Sequence, residues 1–161
     1  MIDDRTALLL EQFEKVRQKT VKLVRSIPAD RVAIVPDGLR NHIHWQAGHL
    51  VAVHASLLYR RIGRPLPVDD EYLSFFGKGT VPSQWSGEPP AFDKTLDDLE
   101  LLHARLRSDL PHMIDCMYSE ALNVSTVDMT LTSFVDALAF LSLHEVYHLG
   151  MIIAMKNLIE K

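Results

Sequence analysis

The sequence predicts an all-α protein, a four-helix bundle, and three observations carry that expectation. Four segments space their apolar residues near 3.6, no stretch alternates long enough to make a convincing strand, and turn-forming residues separate the periodic segments. With 161 residues the chain is near the usual size of one domain and can bury one substantial core, so residues 1–161 are expected to form a single domain.

The first helix is expected from about Asp4 to Ile27, with Leu9, Phe13, Val16, Thr20, Leu23 and Val24 on its inner stripe and Pro28 as its stop. The second should run from Asn41, a good N-cap residue, to Ile62, with Gly63 just past its end and Arg60, Arg61 and Arg64 where cations suit the helix dipole. Its stripe carries Trp45, His49, Ala52, Ser56 and Tyr59. From Arg64 to Phe92 the chain has five prolines, the aromatics Tyr72, Phe75, Phe76 and Trp85, and no sustained period. So long a connection can run back along a helix of roughly 30 Å and leave the helices on either side parallel. The third helix starts near Thr95 and carries Leu96, Leu99, Leu102, Leu106 and Leu110; Pro111 kinks or ends it. The fourth begins at Ser133, with Asp136 in capping-box spacing, and continues to about Ile159.

Lysine plus arginine (17) are outnumbered by aspartate plus glutamate (21), which gives no footprint for a phosphate backbone and argues against nucleic acid as a partner. A single cysteine, Cys116, excludes an internal disulfide framework and fits a reducing compartment; in its apolar surroundings it reads as a small packed side chain rather than a nucleophile. The N-terminus lacks the basic and apolar regions of a signal peptide, and no uninterrupted apolar run approaches 18 residues. A cytoplasmic protein without a membrane partner is therefore expected.

The last helix contains His144-Glu145-Val146-Tyr147-His148, which spells the H-E-x-x-H string of zinc peptidases. Residues four apart are offset by about 40° and about 6 Å along the axis, so both imidazoles point into one space and make a two-ligand clamp for a divalent ion. Their stripe is otherwise apolar (Leu138, Leu141, Met151, Ile152), so they face the interior, where a metal, a water or a backbone group must satisfy them. The best third candidate is His49, on the inward stripe of the second helix. His44 and His54 lie five residues from it, about 140° round; His42 reads as a solvent or capping residue, and His103 and His112 as surface or packing residues.

A peptidase is disfavoured. The extended zinc motif requires glycine at 151 and histidine at 154, where this chain has Met151 and Ala154, and only 13 residues follow His148 in which to supply another ligand. Glu145 sits about 100° off the ligand stripe, where it faces solvent or bonds a neighbour. Tyr59, Tyr72, Trp85 and Tyr147 either line a substrate mouth or pack.

The order of these elements and three motifs, "HIHWQAGHL" (residues 42–50), the Asp70–Gly77 stretch of the crossover and "HEVYHLGMI" (residues 144–152), resemble the DinB-like superfamily of small bacterial bundle proteins over most of the chain. The resemblance implies a four-helix bundle in up-down-down-up order with a long crossover between helices 2 and 3. It also implies a divalent metal ion, such as zinc, nickel or iron, held by His49, His144 and His148. Gly150 is followed here by Met151, where the family often has glutamine. Three histidines leave a coordination position open, as catalytic metal sites do. Some members of the superfamily use low-molecular-weight thiols such as mycothiol or bacillithiol, so the resemblance implies a metal-dependent thiol S-transferase acting on a small molecule, with no catalytic residue identified beyond the ligands. The alternative is a noncatalytic ligand-binding or interaction bundle whose histidines are simply packed. Homodimerisation is common in that superfamily and would be supported by an exposed apolar helix face.

Overall fold

A computed structural model describes residues 2–160. Four long helices form the body: α1 (Asp4–Arg25), α2 (Ile43–Leu58), α4 (Phe92–Asp109) and α5 (Phe134–Ile159). A short α3 (Glu71–Phe76) lies in the crossover, and an antiparallel hairpin, β1 (Met117–Val124) with β2 (Met129–Ser133), separates α4 from α5. α1 packs on α4 and α5, and α2 packs on the same two, so α1 and α2 face each other diagonally around one core.

α1 is capped by Asp3, whose carboxylate accepts the Thr6 N–H at 2.9 Å. Its buried stripe is Leu10, Phe13, Arg17, Thr20, Val21 and Val24, rotated slightly from the expected one, and it takes an arginine inside. α2 starts one residue later than expected, because the cap is His42 rather than Asn41: the His42 Nδ1 accepts the Trp45 N–H at 3.0 Å. α2 ends at Leu58, continues as a tighter turn over Arg60–Ile62, and stops at Gly63, whose φ of 74° is the left-handed conformation glycine adopts without strain. α4 begins at Phe92, three residues before Thr95, and Pro111 ends it in a 3₁₀ turn over Leu110–His112. α5 is capped by Ser133, whose hydroxyl accepts the Asp136 N–H at 3.1 Å.

The hairpin corrects the expectation of no strand. Leu122–Val124 pair with Met129–Leu131, and a bulge interrupts the register between Met117 and Leu122. That bulge breaks the period-two pattern, and only Tyr118 and Leu131 of the hairpin are fully buried, which hides the strands from a periodicity reading. The Tyr118 hydroxyl donates to the Leu57 carbonyl of α2 at 2.7 Å and fastens the hairpin to the bundle.

By length and composition α5 passes for a bilayer-spanning helix, with 26 residues and a mean hydropathy of 1.5 over its most apolar window. Here it is a core helix packed on α1 and α2. Its outer side still exposes Leu143, Val146, Tyr147 and Ile153.

Candidate metal centre

α2 and α5 bring His49, His144 and His148 together: one ring nitrogen from each lies within 4.8 Å of the others. The His49 and His144 Nε2 atoms are 3.3 Å apart. Two imidazoles on one ion at 2.0–2.1 Å with tetrahedral angles would stand about 3.3 to 3.4 Å apart, so this edge of the triad already has the span of a coordination edge.

The partners of the other ring nitrogens fix how the rings present themselves. His49 Nδ1 lies 2.6 Å from the Phe76 carbonyl, an acceptor only, so Nδ1 carries the hydrogen and Nε2 offers its lone pair. His148 Nδ1 lies 2.5 Å from the Gln46 Oε1, with the same consequence. Two lone pairs therefore converge on one buried space. His144 Nδ1 is buried without a hydrogen-bond partner, and its Nε2 faces the His49 Nε2. A divalent cation suits this donor set, since neutral imidazole nitrogens converging from two helices are ligands for one.

Aromatic rings surround the triad. Trp45 lies flat on His49, with centroids 4.7 Å apart and planes 12° apart, Phe140 stands 5.5 Å from His144, and Tyr147 meets His148 edge-on at 5.1 Å. Burial lowers all three imidazole pKa values. His144 is pushed down to about 3, first by burial and then by repulsion from His49 and Arg17; His148 is pushed down to about 2, by burial and then by the other two histidines. His49 is lowered by burial against the opposing pull of its Phe76 hydrogen bond. The triad is therefore neutral near pH 7, the state in which imidazole binds metal.

Glu145 does not face solvent. It is fully buried and takes both prongs of the Arg17 guanidinium, Nε to Oε1 at 2.7 Å and Nη2 to Oε2 at 2.9 Å. This is the bonded-neighbour alternative, and it commits the carboxylate that a peptidase would need as a base. The remaining histidines stand apart from the triad: His44 meets Thr95 Oγ1 at 3.3 Å, His54 is buried against Phe13 with neither ring nitrogen bonded, His103 is half-buried and His112 exposed. Cys116 is half-buried at the edge of the core. Of the four aromatics weighed for a substrate mouth, Tyr59 and Tyr72 are buried on Asp109 and Asp98, Trp85 donates to the Phe75 carbonyl, and exposed Tyr147 abuts the triad.

Three residues matter here that a sequence reading misses. Gln46 carried a signal, being a polar residue one turn before His49 on a helix buried nearly all round. Arg17 carried one too, on the stripe of Phe13 and Val24. Phe76 carried none, because it acts through its backbone carbonyl.

Two comparisons relate this chain to known proteins. The fold matches YfiT from Bacillus subtilis, described as a probable metal-dependent hydrolase with an unusual four-helix bundle topology, at a TM-score of 0.62 and 16% identity over 98% of this chain and 89% of that one. At that identity the likeness speaks to the fold. No curated protein matches the chain by sequence. The sequence profile of the DinB superfamily matches residues 12–152. The chain belongs to the DinB superfamily.

Proposed function

We propose that this protein binds one divalent metal ion through His49, His144 and His148 and uses it to transfer a low-molecular-weight thiol to a small electrophilic substrate. The observation that carries the metal-binding part is the convergence of the three imidazoles, two of them held with Nε2 free by Phe76 and Gln46. The same reading takes the helices in up-down-down-up order. The pairs His44 with Thr95 and Tyr59 with Asp109 support parallel α2 and α4; Arg25 with Glu100 and Arg107 with Glu14 support antiparallel α1 and α4; Gln46 with His148 and His49 with His144 support antiparallel α2 and α5.

When bound, a divalent ion supplies Lewis acidity, lowering the pKa of a water or keeping a thiol ionised at neutral pH. The chain supplies the rest. Trp45, Phe140 and Tyr147 wall the triad with apolar surface and thin the water around it. Glu145, held by Arg17, is withdrawn from proton transfer at the site, which favours a nucleophile that needs no protein base and disfavours the peptidase mechanism. Incubating zinc-loaded protein with a panel of bacterial thiols and an electrophile tests the transferase reading. Conjugation that is lost in His144→Ala supports it; a rate equal to that of the variant for every thiol rejects it and leaves metal binding standing.

Metal-dependent hydrolysis is the second reading, favoured by the description of the YfiT fold neighbour. Turnover of small amides or esters without any thiol, lost in the same variant, would select it over transfer.

A further inference from the structure

A helix leaves its last carbonyls without helical partners, and α3, six residues long, is nearly all end. Its carbonyls are taken up from outside. The Leu73 carbonyl accepts the Gly77 N–H at 3.1 Å, and the Phe75 carbonyl accepts Thr80 Oγ1 at 2.8 Å and Trp85 Nε1 at 2.7 Å. The Phe76 carbonyl accepts His49 Nδ1 at 2.6 Å, and this donor belongs to the triad.

Phe76 is held in place by Gly48, the residue before His49. A Cβ at Gly48 would fall 2.4 to 2.5 Å from Cδ1, Cγ and Cε1 of the Phe76 ring, so the ring lies on bare α2 backbone where no side chain fits. A second thread joins the same segments: Trp45 Nε1 donates to Thr80 Oγ1 at 2.9 Å, and Trp45 is the ring stacked on His49.

From these contacts we infer that the crossover segment 71–80 is a positioning element of the triad: Gly48 seats Phe76, and the Phe76 carbonyl sets His49 to present Nε2. This rests on the reading that the triad binds a divalent ion. Partners of the non-ligating nitrogen orient a metal-binding histidine and raise its basicity. Coupling is reciprocal, so an ion on the triad holds the crossover against α2 as firmly as the crossover favours the ion. Gly48, Phe76 and Thr80 act through His49 and are positioning residues.

The test compares the wild type with Gly48→Ala and Thr80→Val by three measurements: zinc affinity by titration, the imidazole tautomer of His49 by nitrogen NMR in metal-free protein, and amide exchange across residues 73–80 with and without zinc. Gly48→Ala is expected to bind zinc about 10- to 100-fold more weakly and to lose the exclusive Nδ1–H form of His49. Zinc is expected to slow exchange across 73–80 in the wild type and less so in the variant. Thr80→Val removes the hydroxyl that receives Trp45 Nε1 while keeping Gly48 and Phe76, and should shift affinity in the same direction, so the question survives if Gly48→Ala folds poorly. Wild-type zinc affinity in both variants, with crossover exchange indifferent to zinc, overturns the inference. A wild type that takes up no zinc overturns the metal reading beneath it, and the first titration alone separates that failure from the other.

Discussion

Arg17 of α1 and Glu145 of α5 meet inside the bundle as a two-pronged ion pair, with both side chains 1% exposed. The third guanidinium nitrogen, Nη1, donates to the Leu99 carbonyl of α4 at 3.3 Å, so one arginine ties three helices together. Burying two charges is costly, and only geometry of this kind offsets it. Removing one partner strands the other charge in the core.

Arg17→Ala or Glu145→Ala is therefore expected to lower stability by about 3–5 kcal/mol, read as a shift of the urea midpoint. Arg17→Met combined with Glu145→Leu should cost less than the two alanine losses added together. Glu145→Gln should keep one zinc per chain. Loss of the ion in that variant, with the fold intact, would return the glutamate to the metal centre.

Stability should fall in acid within a defined window. Burial holds His44 at about 4, His144 at about 3 and His148 at about 2, against an ordinary value of 6.5. Between those values the unfolded chain binds protons that the folded chain refuses, so stability is complete above pH 6.5 and drains as pH falls toward the folded values. The slope is at most about 1.4 kcal/mol per pH unit for each histidine. Urea midpoints of metal-free protein should be level from pH 8 to about 7 and drop steeply by about pH 5. A level profile through that range would contradict the burial of these rings. Zinc should dissociate in the same window, because protonated imidazole is no ligand.

Tyr118→Phe removes the hydroxyl that meets the Leu57 carbonyl and leaves that buried acceptor unpaired. The expected loss is about 1–3 kcal/mol, with faster amide exchange across the hairpin and an unchanged helix signal in circular dichroism. A neutral result would mean that the hairpin is not fastened through this bond.

Much of this architecture was legible in the sequence, for identifiable physical reasons. Ser133 with Asp136, Gly63 and Pro111 punctuate helices through local backbone chemistry, which needs no tertiary information. His144 and His148 share a face because helix geometry alone puts them there. The long-range pieces were harder to read. Arg17 and Gln46 are polar residues buried by partners more than 100 positions away, so a rule that places charge and amide outside misassigns them. The hairpin's bulge erased its alternation, and the His49 partner is a carbonyl that any residue at position 76 would carry.

Zinc binding by the metal-free protein should appear as stabilisation. At free zinc 100-fold above the dissociation constant the gain is about 2.7 kcal/mol, which for a chain of this size raises the melting temperature by roughly 5–10 °C. A chelator should reverse it. The His49→Ala variant should melt at the same temperature with or without zinc.

The metal content of protein purified without an affinity tag, measured by native mass spectrometry and elemental analysis, tests the three-histidine centre most directly. One divalent ion per chain in the wild type, and none in the variant carrying His49→Ala, His144→Ala and His148→Ala, is the expected result. A wild type that takes up no ion even when offered zinc, nickel or iron, or a folded triple variant that binds as much metal as the wild type, would contradict it.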